Sequence, residues 1–169
     1  GQARSEIRTD LPLRHRNETV LLPVRRVSAA QAEAAQASYA RWKDLLAGEP
    51  ADRYDQLSGK ERFEVANVLF TLRHFEDQDR NRFYPMELHT VRIGDLAVST
   101  NPFELYTAYG LRIKAQSRAA VTLTVQLACD HAGYLPTEEA VAAGGYGAWI
   151  FNGRIGPASA VADPERRTP

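Results

Sequence analysis

Hydrophobic and polar positions change period several times along this chain, and each change marks an expected element. Ser28 opens a helix. Gln31, three residues on, completes a capping-box pattern, and Ala35, Tyr39, Trp42 and Leu46 fall at i, i+4, i+7 and i+11 on one stripe. Gly48 and Pro50 close it, and a linker, EPADRYDQL, follows. Ser58 and Glu61 repeat the capping box ahead of a second helix expected over 60–75. Val65, Leu69 and Leu72 make its stripe, with Ala66 and Phe70 beside it, so more than one face is expected to be buried. From Phe83 to Ile93 the period falls to two. Glu87, His89, Val91 and Ile93 alternate with Leu88, Thr90 and Arg92, and Gly94-Asp95 supplies a tight turn, which makes 84–93 and 96–100 a hairpin.

Upstream, residues 1–17 are polar and Arg-rich and read as an arm or an edge segment. The β-prone run ETVLLPVRR over 18–26 contains Pro23, which lacks the N–H that a central ladder needs, and is expected at a sheet edge. Downstream, Asn101-Pro102-Phe103-Glu104 has the order of a helix start: an N-cap, a proline at N1 and a glutamate at N3. That helix is expected over 103–116, with Phe103, Tyr106, Tyr109 or Gly110, and Ile113 on its buried stripe. Gly110 costs about 1 kcal/mol there against alanine, which implies close packing on a neighbouring backbone. The β-branched run at 120–128 is the strongest strand signal, and a loop from Cys129 to Thr137 follows it. A short helix begins at Thr137 and ends at Gly144-Gly145, and Tyr146 to Phe151 reads as a last strand.

Strand 96–100, helix 103–116 and strand 120–128 form a β-α-β crossover, so the two strands run parallel and end on the same sheet edge. The fold class is therefore α/β: a mixed sheet with a β-α-β crossover, flanked by helices. Sites in open α/β sheets are built at such edges. Glu104 and the loop residues Asp130, His131 and Tyr134 are expected to converge there, and carboxylate, imidazole and phenol are metal-binding chemistry. Each also has an ordinary structural reading: Glu104 as a cap, Asp130 and His131 as strand terminators, Tyr134 as a turn aromatic.

Composition narrows the function classes. Hydrophobic residues make up 44% of the 169 positions and charged residues 25%, enough to bury a core. With 21 basic and 21 acidic residues the chain lacks the basic excess of a nucleic-acid binder. No apolar run approaches the roughly 18 residues of a membrane span. A single cysteine, Cys129, excludes an intrachain disulfide and a cysteine-rich zinc knuckle. The start, Gly-Gln-Ala-Arg-Ser, has neither a signal-peptide apolar core nor an initiator methionine, so Gly1 reads as the product of a cleavage or as the start of a deliberately cut fragment. His15, His74 and His89 are scattered, with no ligand spacing, and neither a nucleophile elbow nor an H-E-x-x-H is present.

Four short motifs stand in a fixed order over about 91–157: Pro102-Phe103-Glu104, Gly110-Leu111-Arg112-Ile113, Gly133-Tyr134-Leu135-Pro136-Thr137 and Gly144-Gly145-Tyr146. In order and spacing this segment resembles the neutral/alkaline non-lysosomal ceramidase family. The resemblance implies a zinc-dependent amidohydrolase that cleaves the N-acyl amide bond of ceramide-like lipids, its zinc held by two histidines, a glutamate and a tyrosine. The glutamate corresponds to Glu104. The tyrosine corresponds to Tyr134 or, where many relatives carry it, to the position of His131, and either is also the candidate hydrogen-bond donor to the transition state. Asp130 would lie behind the ligands. The family's histidine ligands and serine nucleophile belong to an N-terminal portion that has no counterpart here.

On that resemblance, residues 1–157 are expected to be the C-terminal portion of a larger layered α/β catalytic domain, and 158–169 a flexible tail. Zinc would be completed only by ligands from the N-terminal portion of the same protein. The isolated chain would be inactive, the substrate a lipid amide, and the compartment secreted or periplasmic. No nucleic-acid partner and no transmembrane segment are expected, which leaves room for peripheral membrane contact. A competing expectation is a non-catalytic α/β module derived from the same family, binding a ligand or partner, with Glu104 only a cap. A third is a complete small enzyme built on Cys129 and His131.

Overall fold

The computed structural model describes residues 9–46 and 56–157, with the backbone alone for Leu45 and Leu46. The expected linker after the first helix, apart from Gln56 and Leu57, and the expected tail at 158–169 lie outside the described residues. In order, the elements are β1 (Leu13–Pro23), α1 (Ala29–Leu46), α2 (Gly59–Asp77), β2 (Phe83–Ile93), β3 (Leu96–Thr100), β4 (Glu104–Leu105), α3 (Thr107–Gln116), β5 (Val121–Val125), β6 (Tyr134–Leu135) and α4 (Glu138–Ala143). A short 3-10 turn over Tyr146–Ala148 follows. The chain divides into two compact units. The first takes in the described residues up to Val20 together with Pro85–Ala132. The second takes in Leu21–Tyr84 and the described residues from Gly133 onward.

A four-stranded mixed sheet, in the order β1-β2-β3-β5, organises the first unit. The hairpin forms as expected: β2 and β3 are antiparallel, with Val91 opposite Val98 and Ile93 opposite Leu96. Gly94 turns between them at φ 55, a left-handed conformation natural to glycine. β3 and β5 are parallel, pairing Leu96 with Val121, Val98 with Leu123 and Thr100 with Val125. With α3 between them in the chain, this is the expected β-α-β crossover, and α3 packs on β5. The Pro23 strand lies at the sheet edge, and β1 begins earlier than expected, at Leu13.

The helix after β3 starts four residues later than its motif implies. Asn101 does not cap a helix. Its carboxamide oxygen accepts the Phe103 N–H at 3.0 Å while its NH2 donates to the Val125 carbonyl at 3.2 Å. The Asn101 N–H reaches the same carbonyl, and the Asn101 and Pro102 carbonyls accept from Ala128 and Ala132. The segment is thus stitched to the chain leaving β5, with Asn101 6% and Phe103 0% exposed. Leu105 is held extended by the Gln126 carboxamide, which accepts its N–H and donates to its carbonyl. Glu104 therefore sits on an extended strand, not at N3, and α3 begins at Thr107 with Tyr106 before it and no side-chain cap. Long-range partners outweighed a local capping motif.

Gly110 is not closely packed on a neighbouring backbone. A Cβ built there meets its nearest atom, Thr124 Oγ1, at 3.8 Å, an ordinary contact, so no backbone approach demands glycine. The contact fixes the geometry of the sheet: α3 covers the face bearing Thr122 and Thr124. Register then places Val121, Leu123 and Val125 with Leu96, Val98, Val91, Ile93 and His89 on the other face. That face is apolar yet open, with Val121, Leu123 and Val125 53%, 48% and 41% exposed.

In the second unit, α1 and α2 pack on each other. Both capping boxes form: Ser28 with Gln31, and Ser58 with Glu61. The α1 stripe is anchored by buried Ala32 and Ala35, with Tyr39 and Trp42 half-buried. The buried face of α2 is more polar than the pattern implied, carrying Thr71 and His74 besides Val65. His74 Nε2 meets the Arg25 carbonyl at 2.6 Å. Gln78, just beyond α2, accepts the Val27 N–H and donates to the Val27 carbonyl. The stretch from β1 to α1 is therefore pinned by buried polar side chains. The expected strand at 146–151 is absent: this stretch folds as the 3-10 turn and a further turn, and β-bridging appears instead at Ile155, opposite Val24. The helix α4 forms as read, Thr137 capping it by accepting the Ala140 N–H and Gly144 closing it at φ 76.

Candidate functional site

Three metal-ligating side chains come together in the first unit: Glu87, His89 and Cys129. One donor atom of each, a carboxylate oxygen, a ring nitrogen and the thiol sulfur, lies within 4.8 Å of the other two. Strand alternation supplies two of them. Glu87 and His89 are two apart on β2 and project from one face. His89 Nε2 stands 2.7 Å from Glu87 Oε1. The His89 backbone N–H donates to Thr100 Oγ1 on β3 at 3.0 Å, which ties this end of β2 to its neighbour.

The turn after β5 supplies the third. Leu127 and Cys129 both have positive φ, 52 and 70, in a region where L side chains are strained. Ala128 between them donates its N–H to the Asn101 carbonyl, so the same interactions that displaced the expected helix start hold this turn. Cys129 is a free, exposed thiol, and the site opens to solvent, with the His89 side chain only 22% exposed and that of Glu87 53%. On its far side, His89 Nδ1 is 2.8 Å from Nε2 of His15 on β1.

A mixed oxygen, nitrogen and sulfur set suits zinc or another late divalent ion and not magnesium or calcium, which prefer all-oxygen shells. Zinc bonds of about 2.0 to 2.3 Å place tetrahedral donors roughly 3 to 4 Å apart, so closing the triad on an ion needs movement of about 1 Å. Three protein ligands leave a fourth position for water or substrate. A zinc ion held there would make a bound water acidic and would polarise a carbonyl.

The residues singled out from sequence lie on β4, in the loop after Cys129 and on β6. Glu104 is half-buried on β4, Asp130 and His131 are exposed in the loop after Cys129, and all three belong to the first unit. Asp130 Oδ1 accepts the His131 N–H at 2.7 Å, a local turn contact. Among the described residues, these three form no metal-ligand group of the kind found at Glu87, His89 and Cys129. Tyr134 belongs to the second unit, where its N–H donates to the Asn152 carbonyl at 2.7 Å. Its ring meets Tyr146 edge-on at 5.8 Å, and Tyr146 in turn meets Phe63. The same unit holds a cleft of about 380 Å3 whose lining includes Trp149, Ile150, Val68, Thr71 and Gln31.

The sequence did carry part of the missed site. Glu87 and His89 alternate in register on a recognised strand, which puts them on one face. Nothing local links them to Cys129, which reaches them through strand order and two left-handed residues. Among the described residues, no helix is long and apolar enough to cross a membrane. No family model matches the chain, and neither does any curated protein or solved structure.

Proposed function

We propose that this chain is a metal-binding α/β module, and that Glu87, His89 and Cys129 hold a zinc ion. The observation that carries this reading is the convergence of three unlike donors within 4.8 Å at one end of the sheet. The chemistry that such an ion supplies is Lewis-acid hydrolysis. The chain's own residues would bind the ion, with Cys129 as thiolate and Glu87 as carboxylate, and leave one position facing solvent.

The finer reading is that the module is the C-terminal part of a zinc-dependent amidohydrolase of neutral ceramidase type, acting on the N-acyl bond of lipid amides. Its support is the ordered motif resemblance across 91–157, which puts the catalytic zinc ligands at Glu104 and either His131 or Tyr134, a set distinct from the triad. A second support is the open apolar face of Val121, Leu123 and Val125, since a sheet face of this kind normally lies under another layer. On this reading the N-terminal portion of the same protein covers it, and the isolated chain turns over no substrate.

The test is cobalt or zinc titration of the chain, with visible absorption reporting thiolate coordination. Cobalt bands lost in Cys129→Gly and His89→Ala but kept in Glu104→Gln assign the triad. Absence of binding by the wild-type chain sinks the metal reading. Turnover of an N-acyl sphingosine by a longer polypeptide containing this chain, abolished by Glu104→Gln, would establish the finer reading. Turnover unaffected by Glu104→Gln would remove that residue's proposed role.

A further inference from the structure

The proton arrangement around His89 gives a role to a residue outside the triad. His89 Nε2 is 2.7 Å from a carboxylate oxygen of Glu87, and a carboxylate only accepts, so Nε2 carries the proton. Nδ1 then accepts from His15 Nε2–H at 2.8 Å. The two rings are parallel to 1°, with centroids 5.0 Å apart. Their nitrogens lie closer than the roughly 3.5 Å van der Waals separation of stacked rings, so the rings meet edge to edge, along the direction of the nitrogen lone pair.

An ion shared by Glu87 and His89 would take the Nε2 lone pair, because Nε2 is the nitrogen 2.7 Å from Glu87. The ring proton then resides on Nδ1 and needs an acceptor. The atom already 2.8 Å away is His15 Nε2, which becomes that acceptor by moving its own proton to Nδ1. Each ring keeps one proton, so the pair exchanges tautomers with no net gain or loss. Metal-bound histidines commonly donate their second N–H to such a partner, which fixes the ring and raises its basicity.

We infer that His15 is a positioning residue for the metal site: it accepts the Nδ1 proton of His89 and so couples edge strand β1 to metal loading. This rests on the proposed Glu87–His89–Cys129 site. His15 is outside the group of mutually close donor atoms, so its effect runs through His89 and not through a bond to the ion.

The test compares zinc affinity of the full chain with that of His15→Phe, which keeps a ring but no acceptor, and His15→Gln, whose side-chain oxygen can accept. Nitrogen-15 NMR reports the His89 tautomer, and far-UV circular dichroism confirms folding. The expected result is zinc binding about 10- to 100-fold weaker in His15→Phe, substantial recovery in His15→Gln, and a His89 proton that moves from Nε2 to Nδ1 when zinc is added to the wild type. Equal zinc affinity in wild type and His15→Phe overturns the role of His15 while leaving the triad standing. So does a zinc-bound His89 still protonated on Nε2. A wild-type chain that takes up no zinc removes the site and the role together.

Discussion

Cys129, turned to φ 70 beyond the end of β5, brings its sulfur within 4.8 Å of a donor nitrogen of His89 on β2, although β3 lies between those strands in the sheet. Removing the thiol need not remove the turn, because glycine adopts this backbone freely. Cys129→Gly is therefore expected to keep the fold and its thermal midpoint while losing cobalt-thiolate absorption. Cys129→Ala should lose the same absorption and also keep the left-handed strain. A wild-type cobalt complex without a thiolate band, or cobalt affinity unchanged in either variant, would exclude Cys129 as a ligand.

Gln78 saturates both backbone groups of Val27, at 2.9 and 3.2 Å, and the two residues are 7% and 4% exposed. Gln78→Leu keeps the bulk and leaves a buried N–H and a buried carbonyl without that partner. Unsatisfied buried groups cost about 1 to 3 kcal/mol each, so denaturant unfolding should show a loss of about 2 to 6 kcal/mol. A loss under 1 kcal/mol would mean that water replaces the carboxamide.

Gly110→Ala is expected to stabilise the chain. The glycine lies in α3, its φ is unremarkable, and an added methyl carbon meets only Thr124 Oγ1, at 3.8 Å. Replacing a helical glycine by alanine gains about 0.5 to 1 kcal/mol, read as a raised melting temperature. Gly133→Ala should do the reverse. That residue has φ 70, and a Cβ there would fall 2.3 Å from the Asn152 carbonyl oxygen, a clash with backbone that cannot swing away. Strain of at least about 1 to 2 kcal/mol is expected before the clash is counted.

Glu61 titrates below the ordinary glutamate value near 4.5, chiefly because the Ser58 hydroxyl donates to it and secondly because the Ser58 N–H does. A carboxyl whose folded-state pKa is depressed contributes stability that is present above its unfolded value and is lost as pH falls through the folded one. The capping-box contribution to α2 is thus expected to be complete at neutral pH and to fade on acidification. Carbon-13 titration of the Glu61 carboxyl should show its pKa rising toward the ordinary value in Ser58→Ala. The rise should be partial, because the backbone N–H remains. An unchanged titration would show that the hydroxyl is not the cause.

Where one stretch of sequence carries its own instructions, the expected element forms. Ser28 with Gln31 and Ser58 with Glu61 satisfy helix N-termini using atoms three residues apart. Gly94 needs only its own missing Cβ to turn the β2-β3 hairpin, and of the β-branched run expected as strand at 120–128, Val121–Val125 pairs. Asn101-Pro102-Phe103-Glu104 failed as a helix start because the Asn101 side chain found the Val125 carbonyl, a partner that exists only after β3 and β5 have paired. Likewise nothing near Tyr146 announces that 146–151 will turn and leave the bridge to Ile155.

The α/β class, the crossover and the placing of Glu87 with His89 on one strand face follow from local sequence, because period and capping act over a few residues. That Cys129 and His15 join them follows from the folded chain. Strand order, register and two left-handed residues after β5 set those distances, and each depends on contacts between segments far apart in the chain.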